Sequence, residues 1–165
     1  IIMPIAGKYR RHPLFGLMGW AFDGVWLRQD GSDVDSLRRI VERMKQGGML
    51  VMAPEGTRSP TGALQEAKAG AAFLAAKSGY RIVPAAVTGT EDRLVKANLR
   101  HLRRTPIRVR AGAPFALSVP PGRGREQAYR EATDEIMCQI AALIPEKYRG
   151  IYAEHPRLRQ LLATG

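Results

Sequence analysis

A run of polar residues that follows a short apolar segment is the part of this chain best suited to chemistry. The run Ala53–Ser59 reads Ala-Pro-Glu-Gly-Thr-Arg-Ser and follows the apolar stretch Met49–Met52. Arginine offers a forked set of N–H donors that matches phosphate oxygens, threonine adds a hydroxyl, and glycine lets the backbone approach a ligand closely. The pattern therefore indicates a loop that binds a phosphate-bearing ligand. The alternative is a surface turn that carries a local ion pair between Glu55 and Arg58.

Three further short sequence segments, here called blocks, flank this run. Gly24–Arg28 lies upstream, Lys68–Ala71 follows, and the apolar segment Ile82–Gly89 comes last. In this order and spacing the blocks resemble the glycerolipid acyltransferase family, which includes lysophosphatidic acid and glycerol-3-phosphate acyltransferases. The resemblance covers about residues 1 to 115, and its most specific part is the Pro-Glu-Gly-Thr-Arg-Ser block.

The resemblance implies a reaction and a set of binding residues. An acyl group would pass from acyl-CoA or acyl-carrier protein to lysophosphatidic acid or a similar phosphorylated acceptor, with no cofactor besides that donor. Arg58 would bind the acceptor's phosphate, and Lys8 and Arg28 would be further cationic contributors. Around them, Glu55 would shape the pocket and hold neighbouring groups, while Gly56 and Thr57 would line it.

The family's catalytic His-x4-Asp dyad, in which the histidine is the general base, is not found in this sequence. The three histidines and the residues five positions after them are His12 and Leu17, His101 and Pro106, and His155 and Gln160. No Gly-x-Ser-x-Gly elbow and no His/Cys cluster with metal-ligand spacing takes the dyad's place. We therefore assign no catalytic residue. We expect the dyad to lie before Ile1, and we expect the chain alone to transfer little acyl group.

Composition describes a basic globular chain. Its 165 residues are 45% hydrophobic and 25% charged, and its formal net charge is +11. Such a charge attracts polyanions, either an anionic membrane surface or a nucleic acid. A basic nucleic-acid-binding module is the alternative function, but the sequence has no recognisable helix-turn-helix, RNP or zinc-finger pattern. We favour the cytoplasmic face of a membrane, with the protein either peripheral or anchored by a segment absent here.

The densest basic segment has an amphipathic pattern. It consists of Arg93, Lys96, Arg100, Arg103 and Arg104, interleaved with Leu94, Val95, Leu99 and Leu102. This pattern fits an interfacial helix that lies on a membrane, or a solvated helix whose leucines pack on the core. The single cysteine, Cys138, excludes an internal disulfide, and we expect a buried apolar role for it.

Strands that alternate with helices predict an α/β fold, with a mostly parallel sheet flanked by helices. The predicted strands are Val25–Leu27, Met49–Ala53, Ile82–Val87 and Ile107–Arg110, and the predicted helices are Ser32–Gln46, Leu64–Ser78 and Arg125–Leu143. The phosphate-binding loop is expected at the C-terminal end of strand 49–53, where open α/β sheets place ligands. We expect a single, partial acyltransferase domain over 1–165, with a core of about 1–115 and a helical extension of about 125–165.

Overall fold

The structure is a computed structural model that describes residues 1–7, 13–21, 24–27, 34–120 and 124–164. Its backbone forms two compact units, Ile1–Ala53 and Pro54–Gly165. Each unit has its own strand pairing and its own buried side chains. The expected single domain with a core of about 1–115 stays a prediction.

The first unit contains parallel strand pairs and two helices. Its elements are β1 (Pro4–Ala6), α1 (Pro13–Ala21), β2 (Val25–Leu27) and α2 (Val34–Lys45). Strands β1 and β2 run parallel, and Ile2 forms a parallel bridge with Leu50. The Ile2 amide donates to the Met49 carbonyl at 2.7 Å, and the Val51 amide donates to the Ile2 carbonyl at 3.0 Å. The N-terminal segment therefore lies between two parallel neighbours, as the predicted parallel sheet requires.

Helix α2 buries the apolar stripe that its sequence predicts. Ile40 and Met44 are buried, and Leu37 and Val41 are half-buried. The helix stops at Gly47, whose φ of +88° ends it in the left-handed conformation that glycine adopts without strain. Ser32, where the predicted helix begins, lies outside the described residues.

The second unit is mainly helical. Its elements are α3 (Gly70–Ser78), β3 (Ala85–Thr88), α4 (Asp92–Arg100), β4 (Arg108–Ala111), α5 (Arg125–Ala142), two 3₁₀ turns (Glu146–Tyr148 and Gly150–Tyr152) and α6 (Pro156–Thr164). Strands β3 and β4 pair antiparallel, with Val87 opposite Val109. An isolated antiparallel bridge joins Ile82 to Phe115.

The α/β class is confirmed, and the structure refines several predicted elements. The strand predicted over Ile82–Val87 divides at Pro84, which has no N–H to donate and accepts from the Gly112 amide at 2.9 Å. Its second half is β3, which pairs antiparallel rather than continuing a parallel sheet. The strand predicted over Met49–Ala53 is limited to the bridge at Leu50, and the helix predicted over Leu64–Ser78 begins only at Gly70.

Helix α5 lies at the centre of the second unit and confirms the helix predicted over Arg125–Leu143. One side of it carries Met137, Cys138 and Ala141, all fully buried against the C-terminal segment. Another side carries Ala132 and Ile136, which pack against α3. Helix α5 therefore buries residues on more than one side, and not only along a single apolar stripe. Cys138 has the buried apolar role that we expect.

A forked ion pair joins α6 to α5. Arg157 Nε lies 2.5 Å from Glu135 Oε2, and Arg157 Nη2 lies 3.0 Å from Glu135 Oε1. The hydrogen bond from Arg157 holds the pKa of Glu135 below its ordinary value, against the opposing effect of burial. The carboxylate of Glu135 is thus more favourable in the folded protein than in the unfolded chain.

This pair predicts a pH-dependent contribution to stability. Because the folded-state pKa of Glu135 is lowered, the contribution is present above the unfolded pKa of about 4.3 and is lost as pH falls through the folded value. We expect Glu135→Gln to lower the free energy of unfolding by about 1 kcal/mol near neutral pH, since both side chains are partly exposed. The difference from wild type should vanish in acid. Urea unfolding across the acid range measures it.

Glu131→Gln is the matched control, because Glu131 is exposed on the same helix and its recorded hydrogen bond among the described residues is the one from Gln127. It should cost little at any pH. A loss in Glu135→Gln that does not change with pH would contradict the ionic role of Glu135.

Candidate functional site

The segment 54–59, which contains four of the predicted binding residues, forms a loop, as the sequence indicates. Pro54–Ser59 contains a turn at Pro54 and Glu55 and a bend at Gly56 and Thr57, and none of it is helical. Gly56 has a φ of +67°, a conformation that costs residues with a Cβ about 1–2 kcal/mol. The backbone at Gly56 therefore takes a path for which glycine is the suitable residue.

Three hydrogen bonds close a larger loop around this segment, which we call the closed loop, residues 54–68. Glu55 Oε2 accepts from the Gln65 amide at 3.0 Å and from Gln65 Nε2 at 3.3 Å. The Lys68 amide donates to the Pro54 carbonyl at 3.0 Å. Because these amides bond to residues 54 and 55, they are not used to extend a helix. The predicted helix over Leu64–Ser78 therefore starts late.

Arg58 pairs with a carboxylate other than that of Glu55. Its Nη1 lies 3.0 Å from Asp92 Oδ1, at the first residue of α4. The two side chains are 84% and 57% exposed, and exposed pairs of this kind contribute about 0–1 kcal/mol. The alternative ion pair between Glu55 and Arg58 is not formed. The guanidinium is instead held weakly at the surface, where a stronger anion can displace Asp92.

Lys68 lies beside Gly56 of the same loop and is not among the predicted binding residues. A Cβ placed on Gly56 would lie 3.3 Å from Lys68 Cδ and 3.7 Å from Lys68 Nζ. The ammonium group is thus close to the backbone that the sequence marks for ligand approach. The sequence does contain a signal that could have assigned Lys68 to the site, because Lys68–Ala71 is one of the blocks that carry the family resemblance.

The other predicted binding residues are only partly placed. Thr57 is exposed on the loop next to Arg58. Lys8 and Arg28 lie outside the described residues, so their contribution stays a prediction. The candidate site therefore consists of Glu55, Gly56, Thr57 and Arg58, with Lys68 added by the structure.

The C-terminal segment holds the closed loop from one side. The Leu64 amide donates to the Tyr148 carbonyl at 2.8 Å, and the Ala67 amide donates to the Tyr152 hydroxyl at 3.4 Å. Leu64 and Ala67 also pack against the buried core that includes Tyr152. Gly150 permits this approach, because a Cβ there would lie 2.0 Å from the Leu64 carbonyl oxygen. Nothing in the local sequence around Gly150 predicts this contact.

One cluster resembles a nucleophilic triad but has a structural role. Cys138 Sγ lies 3.3 Å from His155 Nδ1, and His155 Nε2 lies 3.9 Å from Asp134 Oδ2. The same Nδ1 accepts from the Arg157 amide at 3.2 Å. Cys138 is fully buried, and burial raises the pKa of its thiol to about 11, so the reactive thiolate is scarce at neutral pH.

The described residues place no metal cluster beside the loop. Within that part of the chain, no group of three or more His, Cys, Asp or Glu side chains could hold a metal ion. A surface groove of about 520 Å³ runs between the segment 115–120 and α5, and its lining includes Leu117, Ala132 and Arg157 but no residue of the closed loop. The phosphate-binding assignment thus depends on side-chain chemistry and backbone conformation rather than on a cavity.

The contact at Gly150 predicts a specific loss of stability. Gly150→Ala introduces a Cβ against the Leu64 carbonyl oxygen and also strains a backbone at φ +53°. We expect a loss of at least about 2 kcal/mol, with faster proteolysis in the closed loop. Chemical unfolding and limited proteolysis measure the two effects.

Gly79→Ala is the control, since Gly79 has a φ of +71° and nothing within 4 Å of an added Cβ. Its loss in the free energy of unfolding reports only the strain of an alanine in the left-handed conformation, which we expect to be about 1 kcal/mol. Equal losses at the two glycines would show that the contact with Leu64 does not matter.

Comparison with known proteins identifies the family to which this chain belongs. A family model described as Acyltransferase matches residues 2–88, which is more than half of the chain. A chloroplastic 1-acyl-sn-glycerol-3-phosphate acyltransferase of Arabidopsis thaliana is 36% identical, over 55% of this chain and 29% of the relative. One from Brassica napus, also chloroplastic, is 40% identical, over 45% of this chain and 23% of the relative.

A solved structure supports the fold. The crystal structure of the 1-acyl-sn-glycerophosphate acyltransferase PlsC from Thermotoga maritima has a TM-score of 0.56 and 24% identity, over 82% of this chain and 53% of that one. The chain matches less than a third of the length of those two curated relatives. The motif resemblance to the glycerolipid acyltransferases is confirmed, and the chain belongs to the acyltransferase family.

Proposed function

We propose that this chain takes part in acyl transfer to lysophosphatidic acid or a similar phosphorylated acceptor, and that the loop Pro54–Ser59 binds the acceptor's phosphate. The observation that carries the proposal is the exposed Arg58, on a glycine-bent loop with Lys68 beside it. Two relatives named as 1-acyl-sn-glycerol-3-phosphate acyltransferases support this acceptor class. Acyl-CoA or acyl-carrier protein is the proposed donor.

Phosphate binding by Arg58 requires an exchange of partners. Its guanidinium would leave Asp92 and form two parallel N–H···O bonds to the phosphate. The exchange is favourable because the bond to Asp92 is exposed and weak, and because a phosphate monoester carries more charge than one carboxylate. Lys68 would add a point charge from the side of Gly56, and the Thr57 hydroxyl would add a donor.

In the proposed reaction, the proton transfer is performed by residues other than those of the phosphate-binding loop. The acceptor hydroxyl must lose a proton as it attacks the thioester carbonyl, and the thiol of the donor then leaves. The family's His-x4-Asp dyad would perform this step, and none of the three histidines here has that spacing. We propose that these 165 residues supply acceptor binding and by themselves transfer little acyl group, since a general base contributes about 10²–10⁴-fold.

The proposed acceptor places the reaction at a lipid surface. A lysophospholipid bears a long acyl chain, so the protein must meet it where it partitions, in a membrane. We propose work at the cytoplasmic face, with the protein either peripheral or anchored by a segment outside this chain. In the described part of the chain, no helix is both long and apolar enough to cross a bilayer.

Removal of Arg58 tests the phosphate-binding role. Glycerol 3-phosphate is a suitable soluble probe, and glycerol controls for binding that does not need the phosphate. We expect Arg58→Ala to weaken glycerol 3-phosphate binding at least tenfold, because hydrogen bonds to charged groups contribute about 1.5–3 kcal/mol. Arg58→Lys should fall between, since lysine keeps the charge but loses the fork. Calorimetric titration measures the affinities.

Two variants separate this role from a structural one. Asp92→Asn removes the competing carboxylate, so it should leave binding unchanged or tighten it, whereas a structural Arg58–Asp92 pair would make both variants less stable. Arg125→Ala removes an exposed arginine at the start of α5 and should have little effect. Unchanged affinity in folded Arg58→Ala would end the assignment. Rapid acylation of lysophosphatidic acid by these residues alone would show that the base is among them.

A further inference from the structure

Helix α4 and the turn after it present a basic, apolar surface that nothing in the described second unit covers. Leu99 is 69% exposed and Leu102 is 93% exposed, and α4 has no buried residue. We define the α4 surface by these two leucines and the four basic residues around them, Lys96, Arg100, Arg103 and Arg104. The sequence left open whether the leucines pack on the core, and the structure shows that Leu99 and Leu102 do not.

The backbone after α4 holds Leu102 in solvent. Leu102 has a φ of +51°, the only positive φ recorded for a non-glycine residue in the described chain. A branched side chain gains nothing locally from this strained conformation. Asn98 Nδ2 donates to Thr105 Oγ1 at 3.2 Å and fixes the turn on either side of Leu102. An apolar side chain that is held outward at a conformational cost indicates a surface built for contact.

The charges of this surface are also unmatched. Four described arginines outside this surface pair with carboxylates, and Arg58 with Asp92 and Arg157 with Glu135 are two of these pairs. Within the described part of the chain, no ion pair is recorded for Lys96, Arg100, Arg103 or Arg104. The complementary partner is therefore anionic, and it must also accept two leucine side chains.

We propose that the α4 surface docks on an anionic lipid membrane. Leu99 and Leu102 enter the headgroup region, and the basic side chains around them contact lipid phosphates. A nucleic acid would match the charges but would gain little from the leucines. A second copy of this chain would bring like charges together, given the net charge of +11.

The inference deepens the membrane location proposed above and names the surface responsible. The first residue of α4 is Asp92, which holds Arg58 at 3.0 Å. A docked α4 would therefore place the candidate phosphate-binding loop beside the membrane surface. This consequence rests on the proposed function, whereas the docking itself does not.

Vesicle binding tests the charges. The chain is titrated with phosphatidylcholine vesicles that contain or lack phosphatidylglycerol, and the bound fraction is measured by flotation. We expect binding that requires phosphatidylglycerol and falls with salt. The triple variant Arg100→Gln, Arg103→Gln and Arg104→Gln should bind about 10²-fold more weakly, at about fivefold for each charge.

A charge-matched control isolates the surface from the net charge. The variant Lys45→Gln, Lys77→Gln and Arg125→Gln removes three exposed cations from other elements. Because it lowers the net charge equally but leaves the α4 surface intact, it should weaken binding about threefold or less. An equal loss in both triple variants would overturn the proposal in favour of attraction by net charge alone.

The leucines are tested in the same assay. Leu99→Ala with Leu102→Ala should weaken binding to anionic vesicles about tenfold or more, since each buried methylene raises membrane affinity about fourfold. The control, Ile151→Ala with Leu162→Ala, removes two exposed apolar side chains elsewhere and should have no effect. All four residues are exposed, so circular dichroism should show an intact fold.

Three results would overturn the proposal. The first is tighter binding to duplex DNA than to anionic vesicles at the same salt, with no effect of the leucine variants. The second is self-association in sedimentation that the leucine variants abolish. The third is vesicle binding that neither set of α4 variants weakens. Glycerol 3-phosphate binding by the same proteins is measured in parallel, so a failure of docking is distinguishable from a failure of the proposed acceptor binding.

Discussion

The closure of residues 54–68 by the Glu55 carboxylate and the Pro54 carbonyl is the constraint on which the candidate site depends. It leaves Gly56 in a left-handed conformation and Arg58 in solvent. It also diverts amides that a helix would otherwise use, so α3 begins at Gly70. A loop whose ends are fixed loses less conformational entropy when it binds a ligand, which is the physical advantage of closing it before the ligand arrives.

The C-terminal helices serve this loop although they lie beyond the family match, which ends at residue 88. Helix α5 is buried on several sides, and the segment after it supplies the carbonyl of Tyr148 and the hydroxyl of Tyr152 to the loop. Gly150 makes the approach possible by having no side chain. The helical extension is thus a scaffold for the site rather than an appendage to it.

The basic residues differ in how they are paired, with different consequences. Arg157 forms a forked, partly buried pair with Glu135 that stabilises the packing of α6 on α5. Arg58 forms an exposed single contact with Asp92, which costs little to give up and so leaves the guanidinium available to a ligand. The cations of the α4 surface have no recorded ion pair among the described residues.

Local pattern was enough to predict the elements whose stability is local. The helices predicted over Ser32–Gln46 and Arg125–Leu143 and the loop at Pro54–Ser59 follow from neighbours along the chain, and the structure has helices α2 and α5 and a loop there. The residue types Arg, Thr and Gly in one short loop suggested phosphate binding, which stays a prediction, and the family resemblance supplied the reaction. The roles of Lys8 and Arg28 remain predictions.

Tertiary structure alone decided which partners these residues take. It placed Glu55 on Gln65 and Arg58 on Asp92, brought Lys68 beside Gly56, and turned Leu102 into solvent. It also paired β3 with β4 in the antiparallel sense. These contacts join residues that are distant in sequence or depend on a backbone path set elsewhere. Their free energies come from burial, exposure and hydrogen-bond geometry, which periodicity and residue type do not specify.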